Sequence, residues 1–328
     1  MQTKILGLGN ALVDVLVRIP SDDILSRFDL PKGSMQLVDE ERQNEIYEAV
    51  KELQPQVVCG GSAANTICGL SKLGIETGFI GKIGPNDLGK QYRADLEANG
   101  VVPLLSMSQT HTGSCLSLIS SDSERTMVTC LGAAVEMTVD DIDPKVFDGY
   151  THLYVEGYMV QNRELIETVF DIAKKKGLMT MLDLASYNVV EANIDFLGHL
   201  TDKYVDLVFA NEEEATAFTG VDDTDALNII GENVNGVVLK QGQRGSLVKL
   251  GDTVERVGII KANCIDTTGA GDLYASGFIY GMTSGQSARH SAEAGAIVSG
   301  NVIEVIGTKM NTRRWSAIRQ SIKRLFEK

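Results

Sequence analysis

The chain has 328 residues, with 30 Lys and Arg against 44 Asp and Glu, a formal net charge of −14 and 43% hydrophobic residues. That balance suits a globular protein with a large core and excludes a disordered tail, a collagen-like repeat and a coiled coil. The acidic surplus argues against a general polyanion binder, so no nucleic-acid partner is expected, although one small anion held by backbone amides stays compatible. No run of about 20 apolar residues exists to span a membrane, and Asp14 and Arg18 interrupt the early apolar residues where a secretory signal would need a clean run. Cys59, Cys68, Cys115, Cys130 and Cys264 are odd in number and lack metal-ligand spacing, which fits reduced thiols and a cytoplasmic location.

In chain order, Lys4–Gly9 reads as a buried strand. Val13–Ile19 and Ser34–Asp39 read as strands with no helix between them. Asp39 is placed to cap a helix over Glu40–Leu53, where Ile46, Val50 and Leu53 recur at helical spacing. Ser114–Ser120 and Thr126–Leu131 form a second strand pair, joined by the polar turn Ser121–Arg125. Strands follow at His152–Val155, Met179–Leu184, Val205–Ala210 and Gly236–Leu239, with helices such as Arg163–Lys176 and Glu212–Thr219 between them. This alternation predicts an α/β fold with a central, mostly parallel sheet covered by helices on both faces. The two pairs that break the rhythm predict a small β-sheet projecting as a lid, over roughly residues 13–39 and 114–131 of a single domain. Leu273–Met282 is apolar nearly all round and reads as a buried helix. Thr312–Lys328 is basic and amphipathic, with Trp315, Ile318, Ile322 and Leu325 on one face; it reads as a docked terminal helix, with a membrane or calmodulin role as the alternative.

The strongest chemical signal is the run Asp266-Thr267-Thr268-Gly269-Ala270-Gly271-Asp272, directly before that buried helix. Its glycines let the first backbone N–H groups converge, and the positive end of the helix dipole makes the point an anion site. A carboxylate beside an anion is normally repelled, so Asp272 reads as a base that takes a proton from an attacking hydroxyl. A plain glycine turn with a helix-starting Asp explains one Asp and one Gly of the run, not all seven residues.

Asp266–Asp272 resembles the C-terminal signature of the PfkB, or ribokinase-like, carbohydrate and nucleoside kinases. The resemblance implies that the amides of Gly269, Ala270, Gly271 and Asp272 stabilise the transferring phosphoryl group, with Asp272 as the catalytic base, Thr268 beside the nucleotide, and ATP and Mg²⁺ required. Further matches follow the family's order. Gly60-Gly61-Ser62-Ala63-Ala64-Asn65 resembles its Gly-Gly-x-x-x-Asn element, with Gly60, Gly61 and Asn65 facing a hydroxyl-rich acceptor; read alone it is a common turn before a helix. Gly81–Gly89 resembles Gly-x-x-Gly-x-Asp-x-x-Gly with one residue extra and reads mainly as turn chemistry. Asn211-Glu212-Glu213-Glu214 matches Asn-x-x-Glu, and on a helix Asn211 and Glu214 share a face and could hold waters of a hydrated Mg²⁺. A solvated acidic helix start is the alternative. Lys240-Gln241-Gly242-Gln243-Arg244-Gly245 lines up with a nucleotide-side loop that usually begins with Thr, so Lys240 offers an ammonium where a hydroxyl is the rule, with Gly242 and Gly245 beside it; a plain hairpin reads nearly as well. Asn301, within Ala294–Gly307, corresponds to the wall of the adenine pocket.

Three features lean toward the adenosine-kinase-like branch. Gly9-Asn10-Ala11-Leu12-Val13-Asp14 resembles its Gly-Asn-x-x-x-Asp, implying Asn10 and Asp14 on ribose hydroxyls. Lys240-Gln241-Gly242 resembles its Thr-Gln-Gly, and Tyr158 with Met159 falls where an aromatic meets the base. Arg125 on the lid could bring one positive charge over the phosphates, an exposed hairpin arginine being the alternative. Adenosine is the expected acceptor and a free sugar the alternative; an inactive ligand sensor is a further one. The resemblance leaves open a monovalent cation near Asp266 and Thr268, and a monomer or a homodimer clasped through the lids. Gly7-Leu8-Gly9 hints at dinucleotide binding, but the third glycine of that fingerprint is Leu12 here.

Overall fold

The structure, a computed structural model, describes residues 2–122 and 124–327. Its strands in chain order are β1 (Lys4–Leu8), β2 (Leu12–Arg18), β3 (Met35–Leu37), β4 (Gln56–Cys59), β5 (Glu76–Ile83), β6 (Val101–Met107) and β7 (Thr112–Ile119). They continue with β8 (Arg125–Gly132), β9 (His152–Glu156), β10 (Met179–Asp183), β11 (Leu207–Asn211), β12 (Gly236–Lys240), β13 (Ser246–Leu250) and β14 (Thr253–Val257).

Nine of them form one sheet in the order β14-β13-β12-β11-β10-β9-β1-β5-β6, parallel except at β13 and β14. The inner strands are Val-, Ile- and Leu-rich without polar alternation because helices cover both faces. Successive β1 residues serve opposite layers: Ile5 packs with Ile67, Phe79 and Phe278, while Leu6 and Leu8 pack with Val155, Phe170 and Leu182. The chain first builds outward from β1 to β5 and β6, then returns to lay β9 on the other flank of β1. Open sheets of this kind receive ligands at the carboxyl ends of the strands where the order reverses. Here those ends are Leu8 and Glu156.

The smaller sheet runs β3-β8-β7-β2-β4. The four expected strands are present, and β7 pairs antiparallel with β8 as expected, with two corrections for the others. A short helix, Asp23–Arg27, separates β2 from β3, and these strands do not pair; β2 lies parallel to β7 and β3 parallel to β8. Leu25 and Phe28 bury with Val17, Leu116 and Val128, a tertiary contact with strands about 90 residues away that no local pattern reveals. The fifth strand, β4, is a half-exposed edge with no alternation to announce it. Of the expected turn Ser121–Arg125, Ser123 lies outside the described residues, as does Lys328 at the end of the expected last helix.

Side-chain alternation divides this sheet. Val15, Val17, Leu116, Leu118 and Val128 face the helix Glu40–Val50, which Asp39 caps by accepting from the Arg42 amide at 2.8 Å. Leu12, Asp14, Met35, Leu37, Arg125, Met127, Thr129 and Leu131 face the opposite way, onto a cavity. The helix Thr312–Phe326 docks on the main body through Trp315, Ile318 and Ile322, against Leu73, Leu273 and Val298. Among the described residues no helix is long and apolar enough to cross a membrane.

Candidate active site

Two helices bring the site together. Ser62–Leu73 and Ala270–Thr283 cross at Gly69, where an added Cβ would lie 2.5 Å from Ser276 Oγ. Only a glycine lets the backbones approach this closely. As a result Asp272, in the first turn of one helix, meets Ser62 and Asn65 in the first turn of the other. Ser62 Oγ donates to Asp272 Oδ1 at 2.7 Å and Asn65 Nδ2 donates to Oδ2 at 2.9 Å. Thr308 Oγ1 in turn donates to Asn65 Oδ1 at 3.1 Å, which fixes the direction of the amide. Burial pushes the Asp272 carboxyl up to about 6, with the Asn65 and Ser62 bonds pulling against it, Asp183 adding to the rise and Lys240 opposing it. Such a group is ionised at neutral pH yet close enough to it to accept a proton.

Asp266, at the other end of the run, is a strut. Its Oδ1 accepts from the Thr268 amide at 2.9 Å and the Thr268 hydroxyl at 2.5 Å, and its Oδ2 accepts from the Gly307 amide at 2.7 Å. Burial works against its charge, but these bonds outweigh it and hold the carboxyl below the usual range. Gly269 caps the helix in the left-handed region at φ 66°, and a Cβ there would lie 2.2 Å from Thr308 Cγ2. The Ala270 amide donates to the Thr267 carbonyl at 3.1 Å. Of the four amides expected to form an anion cradle, that of Ala270 is therefore taken up by the turn itself.

Two cavities meet at Ser62, Tyr158 and Asp272. The first, about 670 Å³, lies under the smaller sheet. Its polar end holds Asn10, Asp14, Gly61, Asn65, Arg125, Glu156 and Asp272, and methionines 35, 127, 137 and 159 line much of the remainder. Gly60 is absent from this lining; a Cβ on it would fall 2.3 Å from Asp14 Oδ2, so its part is to make room for that carboxylate. Burial pushes Asp14 up to about 6, with Arg125 lowering it and Asp272 raising it. Arg125 donates to Ser117 Oγ at 3.0 Å, and its buried Nε has no partner among the described residues. Thr268, expected beside the nucleotide, lines this first cavity, and Thr267 lines the second instead, because the Asp266 strut turns Thr268 inward.

The second cavity, about 780 Å³, is lined by Gly242, Gly245, Ile260, Ala262, Ala296 and Gly300, with Asp183, Glu214, Lys240 and Gly271 at the end nearest Asp272. Lys240 Nζ donates to Asp183 Oδ2 at 2.8 Å. Burial disfavours the Lys240 charge, but Asp183 and Glu214 outweigh it and raise its pKa, so it is an ammonium. Asn211 and Glu214 close a capping box: Glu214 Oε2 accepts from the Asn211 amide at 2.8 Å, Oε1 from Asn211 Nδ2 at 2.7 Å, and the Glu214 amide donates to Asn211 Oδ1 at 2.8 Å. The shared face predicted for the pair is therefore a helix start in which each side chain answers the other, although both line the cavity. Burial pushes Glu214 up to about 7, with Lys240 opposing. Asn301 does not line this cavity; its amide turns back to the Ile297 carbonyl at 2.8 Å, and Gly300 and Ile303 form the wall in its place. The stretch Gly81–Gly89 runs from the end of β5 through a turn at residues 84–86 into the helix Asp87–Ala98, with Asn86 accepting from Thr112 and capping that helix.

Sequence reasoning missed Glu156, Asp183 and Ser62. Glu156 accepts from the Asn10 amide, Asn10 Nδ2 and the Ala63 amide, each at 2.9 Å, and burial pushes it up to about 7 against those bonds. The signal was available: Glu156 and Asp183 are acids ending mostly apolar strands, where the sheet delivers side chains to the crevice.

Known proteins share this fold. A probable sugar kinase from Rhizobium etli CFN 42 superposes with a TM-score of 0.91 at 31% identity over 98% of both chains. The adenosine kinase from Sinorhizobium meliloti superposes with a TM-score of 0.90 at 31% identity over 98% of this chain and 100% of its own. A 5-dehydro-2-deoxygluconokinase from Geobacillus kaustophilus is 28% identical over 281 residues, 79% of this chain and 83% of its own. The pfkB family carbohydrate kinase model matches residues 34–314, so the chain belongs to the pfkB family, kinases that pass a phosphoryl group to an alcohol.

Proposed function

We propose that the protein transfers the γ-phosphoryl of MgATP to the 5′-hydroxyl of a ribonucleoside, adenosine foremost. The observation that carries this reading is the division of the first cavity. Its polar end, with Asn10, Asp14 and Asn65, offers paired donors and acceptors to ribose hydroxyls, and its methionine-lined remainder suits a flat apolar base. A free sugar would leave that apolar volume wet. The second reading, a sugar kinase, draws on the sugar-kinase relatives, which resemble the chain as closely as the adenosine kinase does.

In the proposed reaction Asp272 accepts the hydroxyl proton as the acceptor oxygen bonds to the γ-phosphorus and the β–γ bridging bond breaks, its electron pair leaving with ADP. The amides of Gly269, Gly271 and Asp272, with the Lys240 ammonium, face the developing charge. The glycine-walled second cavity suits the nucleotide, and its inner acids, Asp183 and Glu214, suit Mg²⁺ held through water. Bound there, Mg²⁺ would neutralise phosphate charge. The smaller sheet serves as a lid that excludes water from the acceptor.

The test is ADP release with MgATP across adenosine, other nucleosides, ribose, fructose and 2-keto-3-deoxygluconate. Fast turnover on adenosine alone supports the reading. Turnover on a free sugar alone moves the acceptor to the second reading and leaves Asp272 as base.

A further inference from the structure

Ser62 and Tyr158 are the two hydroxyl side chains that line both the first and the second cavity, together with Asp272. Their hydroxyls are spent differently. That of Tyr158 turns to the Ala185 carbonyl at 3.4 Å, and burial pushes its pKa up. Ser62, the first residue of its helix, donates its Oγ proton to Asp272 Oδ1 at 2.7 Å. Among the described residues no other hydroxyl bonds to that carboxylate: Thr66 Oγ1 reaches the Asp272 backbone carbonyl, at 3.1 Å, and Thr308 Oγ1 reaches Asn65. The alcohol on the proposed base, when no acceptor is bound, is therefore the protein's own. It is a primary alcohol, as the 5′-hydroxyl of a ribonucleoside is, and its proton is already directed at the carboxylate.

We propose that, with MgATP bound and no acceptor present, the protein phosphorylates its own Ser62, and that the modified chain no longer turns over. The Ser62 proton passes to Asp272 Oδ1 as Oγ bonds to the γ-phosphorus. The β–γ bridging bond breaks, its electron pair leaves with ADP, and Asp272 then gives the proton to water. A hydroxyl already held on the base needs no encounter with a second molecule, which is the advantage of an intramolecular reaction. A bound acceptor removes that advantage by placing its own hydroxyl between Asp272 and the γ-phosphorus. The positive end of the helix Ser62–Leu73 favours a phosphate on its first residue. Once there, the phosphate sets negative charge beside Asp272 and fills the junction where an acceptor hydroxyl has to sit. The inference rests on the reading of Asp272 as the base and is independent of which acceptor the protein takes.

The test incubates the full chain with MgATP and no acceptor, and reads it by intact mass and peptide fragmentation. Ser62 should gain one phosphoryl group at a first-order rate that does not change with protein concentration. The acceptor that turns over in the ADP-release assay should, at saturation, slow this gain at least tenfold. Ser62→Ala and Asp272→Asn should both stay unlabelled. The second variant keeps Ser62, so it carries the test should the first fail to fold. In the parent, kcat on the acceptor should fall in step with the labelled fraction. A phosphoryl group on another residue, or labelling of Asp272→Asn at the parent rate, overturns the proposal. A labelled chain with full turnover overturns the inactivation. Turnover on an acceptor with no labelling of Ser62 overturns this inference alone and leaves the kinase reading in place, whereas loss of both removes the kinase reading as well.

Discussion

Asp266 and Asp272 sit in one seven-residue run and end in opposite electrostatic states. Asp266 is ringed by donors of its own loop and the neighbouring one, including two backbone amides, and its carboxyl is held low. Asp272 takes its bonds from two side chains on another helix, and burial, with Asp183 close by, pushes it up to about 6. Backbone amides are fixed donors that favour the charged form continuously, whereas side-chain donors can turn to serve a ligand. The first acid therefore builds the loop, and the second stays available for a proton.

The sharpest way to break this comparison is Asp272→Asn. It should cost about 10²–10⁴ in kcat with nucleotide affinity near normal, and it should raise stability at pH 7.5 by on the order of 1 kcal/mol, since an ionised carboxylate with a raised pKa opposes folding. Steady-state kinetics and urea melts check both halves; undiminished kcat removes Asp272 from the chemistry. Asp266→Asn should do the reverse, losing about 1–2 kcal/mol of stability through unmade bonds to Thr268 and Gly307. An unchanged melt would show that the strut is dispensable.

Asn65→Ala should lower kcat by about tenfold, the worth of one hydrogen bond to a charged group at about 1.5 kcal/mol. It should also move the acid limb of kcat upward, because the Asn65 bond pulls the Asp272 pKa down; a limb that stays in place would make Asn65 a substrate contact only. The smallest effect is the pH dependence of the fold. The Asp272 carboxyl binds its proton more tightly folded, near 6, than its ordinary 3.8. Its contribution to stability therefore falls as pH rises through that window. Asp266, with a lowered pKa, contributes stability above its ordinary 3.8 that is lost as pH falls through its folded value. In melts between pH 4 and pH 6, replacing Asp272 by Asn should make stability rise more steeply with pH than in the parent.

Much of this protein was legible in one dimension. The strand–helix alternation set the parallel sheet, because strands covered on both faces must be apolar throughout, and Asp39 and Asn211 marked helix starts because capping chemistry is local. The run Asp266–Asp272 announced a turn into a helix for the same reason: its geometry is made by neighbours in sequence. The rest needed the third dimension. No local pattern shows that Gly69 admits Ser276 and thereby sets Asn65 on Asp272, that Glu156 accepts from Asn10 and Ala63, or that Lys240 pairs with Asp183. Nor could the strand order of the smaller sheet be read, since parallel pairs such as β2 with β7 join segments about 100 residues apart. Conformations that depend on i to i+4 contacts are written in the sequence, whereas burial, and with it the charge state of each acid, is decided by residues that meet only in the folded chain.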